Sequence, residues 1–243
     1  MYFWKCWRDS RSRFIVSLIA FPVLGVLFTF ISVRLGWGVR PPTVIQSWSE
    51  TTEIVLGGWT AFFSLLWGLV VGSSGLGEEF KDETLDFLLV RPRPRRYWVW
   101  MGWLEGVWEL SLMILLSVGA TFGTLVYLTG RVQTWWPLAA VLPLALGGAV
   151  TYGLTYFMTF VARSGRQGLS YGFGILFIDL LLPVALAYYW QINFPSVWGF
   201  MMAACKSFTS ASGTFPAGPL VFWSIVALAF PLATELLLER AEV

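Results

Sequence analysis

Histidine is absent from this 243-residue chain, cysteine occurs only at Cys6 and Cys205, and Asp, Glu, Lys and Arg together make up just 12%. The missing imidazole weakens metal-site readings and any acid–base mechanism near neutral pH. A formal net charge of +2 is too small to imply a nucleic-acid partner. No Gly-x4-Gly-Lys-Ser/Thr loop occurs, and no polar stretch is large enough for a soluble nucleotide domain. Nor does the sequence repeat itself into two related halves, as a carrier working alone often does.

What fills the chain instead is apolar. Hydrophobic residues make up 57%, and the mean hydropathy is +0.69. A soluble domain cannot hide that much apolar surface, so the fold class is all-α integral membrane. Aromatics reach 18%, with 15 Trp, as expected of a protein anchored at two membrane–water boundaries. The N-terminus is not a cleavable signal, because its apolar run is too long for an h-region.

A membrane span needs about 20 apolar residues. On that criterion six spans are expected, near 14–33, 54–77, 97–130, 137–161, 167–190 and 219–238, within one transmembrane domain covering 1–243. Residues 1–13 mix Trp4 and Trp7 with Lys5, Arg8, Arg11 and Arg13, which predicts a short interfacial helix towards anionic lipid. Residues 191–218 include an apolar patch around Trp198 and Cys205, and a re-entrant or interfacial helix fits it. Six spans put both termini on one side. Of the 16 Lys and Arg, only Arg34, Arg40, Arg131 and Lys206 then fall on the other side. The positive-inside rule therefore places both termini in the cytoplasm of a cell (inner or plasma) membrane. Cys6 and Cys205 fall on opposite faces, so no disulfide between them is expected.

The most charged stretch, 78–96, lies between the second and third spans and reads EEFKDETLDFLLVRPRPRR. Phe80, Thr84, Phe87 and Leu88 recur at helical spacing on one side, and Glu79, Lys81, Asp82, Glu83 and Asp86 fill most of the rest. A helix with a narrow apolar stripe can dock in a groove of a partner. The Pro92–Arg96 turn then redirects the chain into the next span.

Residues 83–96 resemble the cytoplasmic signature of ABC-2 type transporter permeases. Thr84, Leu85, Leu88, Leu89, Pro92 and Arg95 match the family pattern, and Asp86 stands for its usual Glu. Glu83 replaces a common Gly and Pro94 a common Ser. Gly102 is in place, while Trp103 replaces a Lys. The resemblance extends to the architecture of the whole chain. It implies that the stretch is a coupling helix seated in a cleft of a separate ABC ATPase subunit. The coupling residues would be Glu79, Phe80, Glu83, Thr84, Leu85, Asp86, Phe87, Leu88, Leu89, Pro92 and Arg95. ATP and Mg would be bound by the partner, so this chain would hold no cofactor and would not itself be an enzyme. A second permease chain, identical or different, would complete the pathway. The family's second and fifth spans line the central cavity, which would place Phe62, Phe63, Trp67 and Asp179 near it. Export is what the family mostly implies, and apolar walls suit a hydrophobic or amphipathic substrate.

Asp179 sits near the middle of the fifth span. A carboxylate there costs about 2.5–3.5 kcal/mol on an insertion scale, so it must face a partner, a cavity or the bundle interior. It reads either as a pathway group or as a hydrogen-bond acceptor for another span. Glu105 and Glu109, one turn apart on the third span, are expected to pair with Arg95, Arg96 or Arg163, and Glu235 with Arg240. The pairs Gly68/Gly72, Gly119/Gly123 and Gly168/Gly172 allow helices to approach closely, either within a protomer or at a dimer seam. The competing function classes are an integral membrane lipid-modifying enzyme and an ion-coupled carrier using Asp179, neither with an ATPase partner. The enzyme would usually show a boundary cluster of His, Asp or Glu, and the carrier would show paired intramembrane charges.

Overall fold

The computed structural model describes residues 2–35, 52–74, 94–130, 136–190, 195–209 and 215–240. Among these no strand occurs, and six helices are long and apolar enough to cross a membrane. The chain is therefore a multi-pass membrane protein by length and composition. The first helix, α1, spans Tyr2–Leu35 without a break. Residues 2–13, expected as a separate interfacial helix, instead continue into the first span. At 1.5 Å per residue the helix is about 50 Å long, so part of it extends beyond a hydrocarbon core of about 30 Å.

The second span begins as a π-helix, Glu53–Thr60, and continues as α2, Ala61–Gly72. The third, α3, is a single helix over Arg95–Thr129. It starts after Pro94, whose backbone is extended (φ −63°, ψ 144°), and ends at Gly130, whose φ of 66° closes the helix in the left-handed region. A 3-10 turn, Trp136–Ala140, leads into α4, Val141–Ala162. Then follow α5, Gly165–Trp190, the short α6, Val197–Thr209, and α7, Ala217–Arg240.

Helix α4 is the hub. It packs against α2, α3, α5, α6 and α7, while α1 lies mainly along α3. The apolar window of α4 is 61% buried and that of α5 only 11%, so α5 stands at the rim. The α4 sequence explains its place. Gly147, Gly148 and Gly153 remove bulk, and Thr151, Thr155 and Thr159 bury small side chains. Each threonine hydroxyl donates to a carbonyl three or four residues back: Thr155 to Thr151 at 3.0 Å and Thr159 to Thr155 at 2.8 Å, for example. The hydroxyls are thus satisfied within α4 itself, and Thr159 Oγ1 also reaches the Gly72 carbonyl of α2 at 3.4 Å. Neighbouring helices answer with glycine. A Cβ on Gly72 would lie 2.6 Å from the Tyr152 carbonyl oxygen, and one on Gly168 would lie 2.5 Å from Thr159 Cα. On another side of α4, the Tyr152 hydroxyl donates to the Gly102 carbonyl at 2.8 Å and that of Tyr156 to Val99 at 3.2 Å.

Two of the three glycine pairs therefore pack spans inside the protomer. At Gly119 and Gly123 an added Cβ would meet nothing within 4 Å.

Candidate functional site

The π-helical start of the second span shapes one wall of a sizeable pocket. In a π-helix each N–H reaches five residues back instead of four, which widens the coil. At its end the Ala61 N–H points to the carbonyls of Leu56 and Gly58. The widened coil turns Glu53, Ile54, Gly58, Trp59 and then Phe62 to one side, where Trp198 and Met202 of α6 form the facing wall of an open cavity of about 520 Å³. Gly57 lets α6 sit close: a Cβ there would be 3.5 Å from Cys205 Cβ and 3.7 Å from Met202 Cα.

The walls are mostly aromatic. Phe62 and Trp198 meet edge to face at 6.1 Å and 83°. Trp59 is backed by Phe28 of α1, stacked at 4.4 Å and 6°, which fixes the ring that lines the cavity. At the mouth, the Lys206 ammonium lies 3.6 Å from Glu53 Oε1. Cys205, one residue away, is a free and buried thiol. Burial, and secondarily the Glu53 charge, push its pKa up to about 12.

Asp179 reaches this site from the rim helix. Its half-buried carboxylate accepts the Val197 N–H, at 3.3 Å to Oδ1 and 3.1 Å to Oδ2. Ser196 Oγ accepts the Gly199 N–H at 2.9 Å. Together they cap the first turn of α6, the turn that carries Trp198. From the sequence, Asp179 is expected to be a pathway group or an acceptor for another span; the contact observed is to the backbone of α6, which is not one of the six span-length helices.

The other residues expected near a pathway separate. Phe62 lines the cavity, but Phe63 and Trp67 pack on Phe21 of α1, with ring centroids 6.4 and 5.8 Å away. The Trp67 indole nitrogen is buried without a hydrogen-bond partner. Glu235 accepts the Trp100 indole N–H at 2.7 Å, so its observed partner is Trp100 on α3 and not Arg240 on its own helix. Glu105 and Glu109 are both buried on α3. Glu109 borders a small cleft with Arg13 and Trp67. The coupling residues Glu79, Phe80, Glu83, Thr84, Leu85, Asp86, Phe87, Leu88, Leu89 and Pro92 lie outside the described residues, and Arg95 is the first residue of α3. Among the described residues no group of His, Cys, Asp and Glu could hold a metal ion.

Sequence reasoning missed Glu53, Gly58, Trp59 and Met202 as cavity residues. The available signal was the run from Glu53 to Phe62, with a carboxylate at the edge of a span, Gly57-Gly58 beside Trp59, and a second aromatic three residues on. No family model matches this chain, and no curated protein matches it.

Proposed function

We propose that this chain is the membrane subunit of an ATP-binding cassette transporter of the ABC-2 permease type, working with a separate ATPase and a second permease chain. The observation that carries this reading is the placement of the signature at 83–96. It lies between the second and third of six span-length helices, where the resemblance puts a coupling segment. The extended backbone at Pro94 and the helix start at Arg95 suit a turn that redirects the chain into the third span. In this reading both termini and the 78–96 stretch face the cytoplasm of a cell membrane. Helix α6 then lies on the outer side, where its 13 residues are too few to cross. ATP and Mg belong to the partner, and this chain transmits the partner's closure to the spans. The apolar, aromatic cavity suits a hydrophobic or amphipathic substrate, and the resemblance implies its export. The engagement of Asp179 as a helix cap speaks against an ion-coupled carrier built on that residue.

Affinity purification of the tagged chain from its native membrane, with mass spectrometry of what accompanies it, tests this. A stoichiometric Walker-motif ATPase is expected, lost in a Phe80→Glu/Leu88→Glu variant that still folds. A well-folded chain without any ATPase overturns the reading.

A further inference from the structure

The cavity between the π-helix and α6 combines features that select a particular ligand chemistry. Its volume of about 520 Å³ lies within the range of about 300–1,000 Å³ usual for small-molecule sites. Its walls are the faces and edges of Trp59, Phe62 and Trp198 with the thioether of Met202, and its charge among the described lining residues is the single carboxylate of Glu53. One carboxylate is too few donors for a metal ion, but a carboxylate facing aromatic rings suits an organic cation, which gains from the ring quadrupoles as well as from the charge.

The structure already places a cation at this carboxylate. The Lys206 ammonium stands 3.6 Å from Glu53, at the end of a side chain that is 68% exposed. An exposed ion pair of this kind is weak, so a lysine on a flexible stem yields its place readily. The π-helix adds an independent pointer, because such segments occur frequently at functional sites. Gly58 adds another: it lines the cavity, and a Cβ there would meet nothing within 4 Å.

We propose that this cavity binds a monovalent, amphipathic organic cation. Its charged head takes the place of the Lys206 ammonium beside Glu53, and its apolar body lies against Trp59, Phe62 and Trp198. The site does not depend on the permease reading, because binding is a property of this chain alone.

The test uses the purified full chain in phosphatidylcholine nanodiscs with no ATPase present. Radiolabelled tetraphenylphosphonium is the probe, tetraphenylborate the matched anion, and empty nanodiscs the background. Saturable binding of one probe per chain is expected, not competed by the anion. Glu53→Gln should weaken it at least tenfold. Lys206→Gln should tighten it about two- to fivefold, the range of an exposed ion pair. Gly58→Leu should abolish binding by filling the cavity, with size-exclusion profiles showing that each variant remains folded. Binding no greater than to empty nanodiscs overturns the proposal. So does an affinity left unchanged by both Glu53→Gln and Gly58→Leu, or equal occupancy by tetraphenylborate.

Discussion

The Asp179 carboxylate of the fifth span accepts the Val197 N–H through both oxygens, at 3.3 and 3.1 Å. An intramembrane acid is thereby used to fasten a short helix that does not itself cross. The fastening sets the position of Trp198, one residue further on, and so one wall of the aromatic cavity.

That contact makes a graded prediction. Asn keeps an oxygen acceptor at this position, and Ala does not. Asp179→Ala should lower stability by about 0.5–2 kcal/mol, as the loss of a helix cap does. Asp179→Asn should lower it by less. Thermal melts of the detergent-solubilised chain measure both, and equal melts for the parent and the Ala variant would show that the cap contributes nothing.

The glycine pairs should respond in opposite directions. Gly72→Ala drives a methyl group to 2.6 Å from a backbone oxygen of α4, and overpacking of that kind costs about 1–3 kcal/mol. Gly119→Ala meets open space and should raise helix stability by up to about 1 kcal/mol. Melting temperatures of the two single variants, compared in the same detergent, check the difference in sign.

The bond between Trp100 and Glu235 joins the start of α3 to the end of α7. Glu235→Ala removes the acceptor of the indole N–H and should cost about 1–3 kcal/mol. Glu235→Gln, which keeps an oxygen, should cost less. A double-mutant cycle with Trp100→Phe isolates the pair: a coupling energy of zero would mean that the bond adds nothing to the docking of the two helices.

Cys205 should resist alkylation in the folded chain and react once the chain is denatured. With its pKa pushed up to about 12, only about one thiol in 10⁴ is ionised at pH 8, and the thiolate is the reactive form. The ordinary value is 9.0, so the folded-state pKa is the raised one. The stabilisation it reflects is complete below pH 9 and is lost as pH rises from 9 towards 12, because the unfolded chain releases its proton first. Maleimide labelling at pH 8, with and without denaturant, tests the reactivity. Alkaline melts of Cys205→Ala against the parent test the linkage: the variant should lose less stability over that interval.

The span-length helices were legible from composition because hydropathy averages over about 20 residues and tolerates errors at the ends. The same averaging hid the coil type of the second span. Residues 53–60 are equally apolar wound as an α-helix or a π-helix, and the π form alone turns Glu53 and Phe62 towards one cavity. The resemblance that places Phe62, Phe63 and Trp67 near a pathway concerns the whole second span, and does not say which of them faces α1 and which faces α6. Arg240 is the nearby cation that the sequence offers Glu235, whereas its observed partner Trp100 is 135 positions away.

The sequence by itself determined the solvent of this protein and the number of its span-length helices, because both follow from the apolar content of local windows. It also marked Asp179 as a residue that must find a partner, because an isolated carboxylate in hydrocarbon is too costly to leave alone. Only the tertiary structure decided what that partner is, which glycines meet another helix and which meet open space, and that an aromatic cavity forms around Glu53. Those outcomes depend on how helices far apart in the chain are rotated and offset against α4. Small differences in packing over many contacts set that arrangement, and no local window contains it.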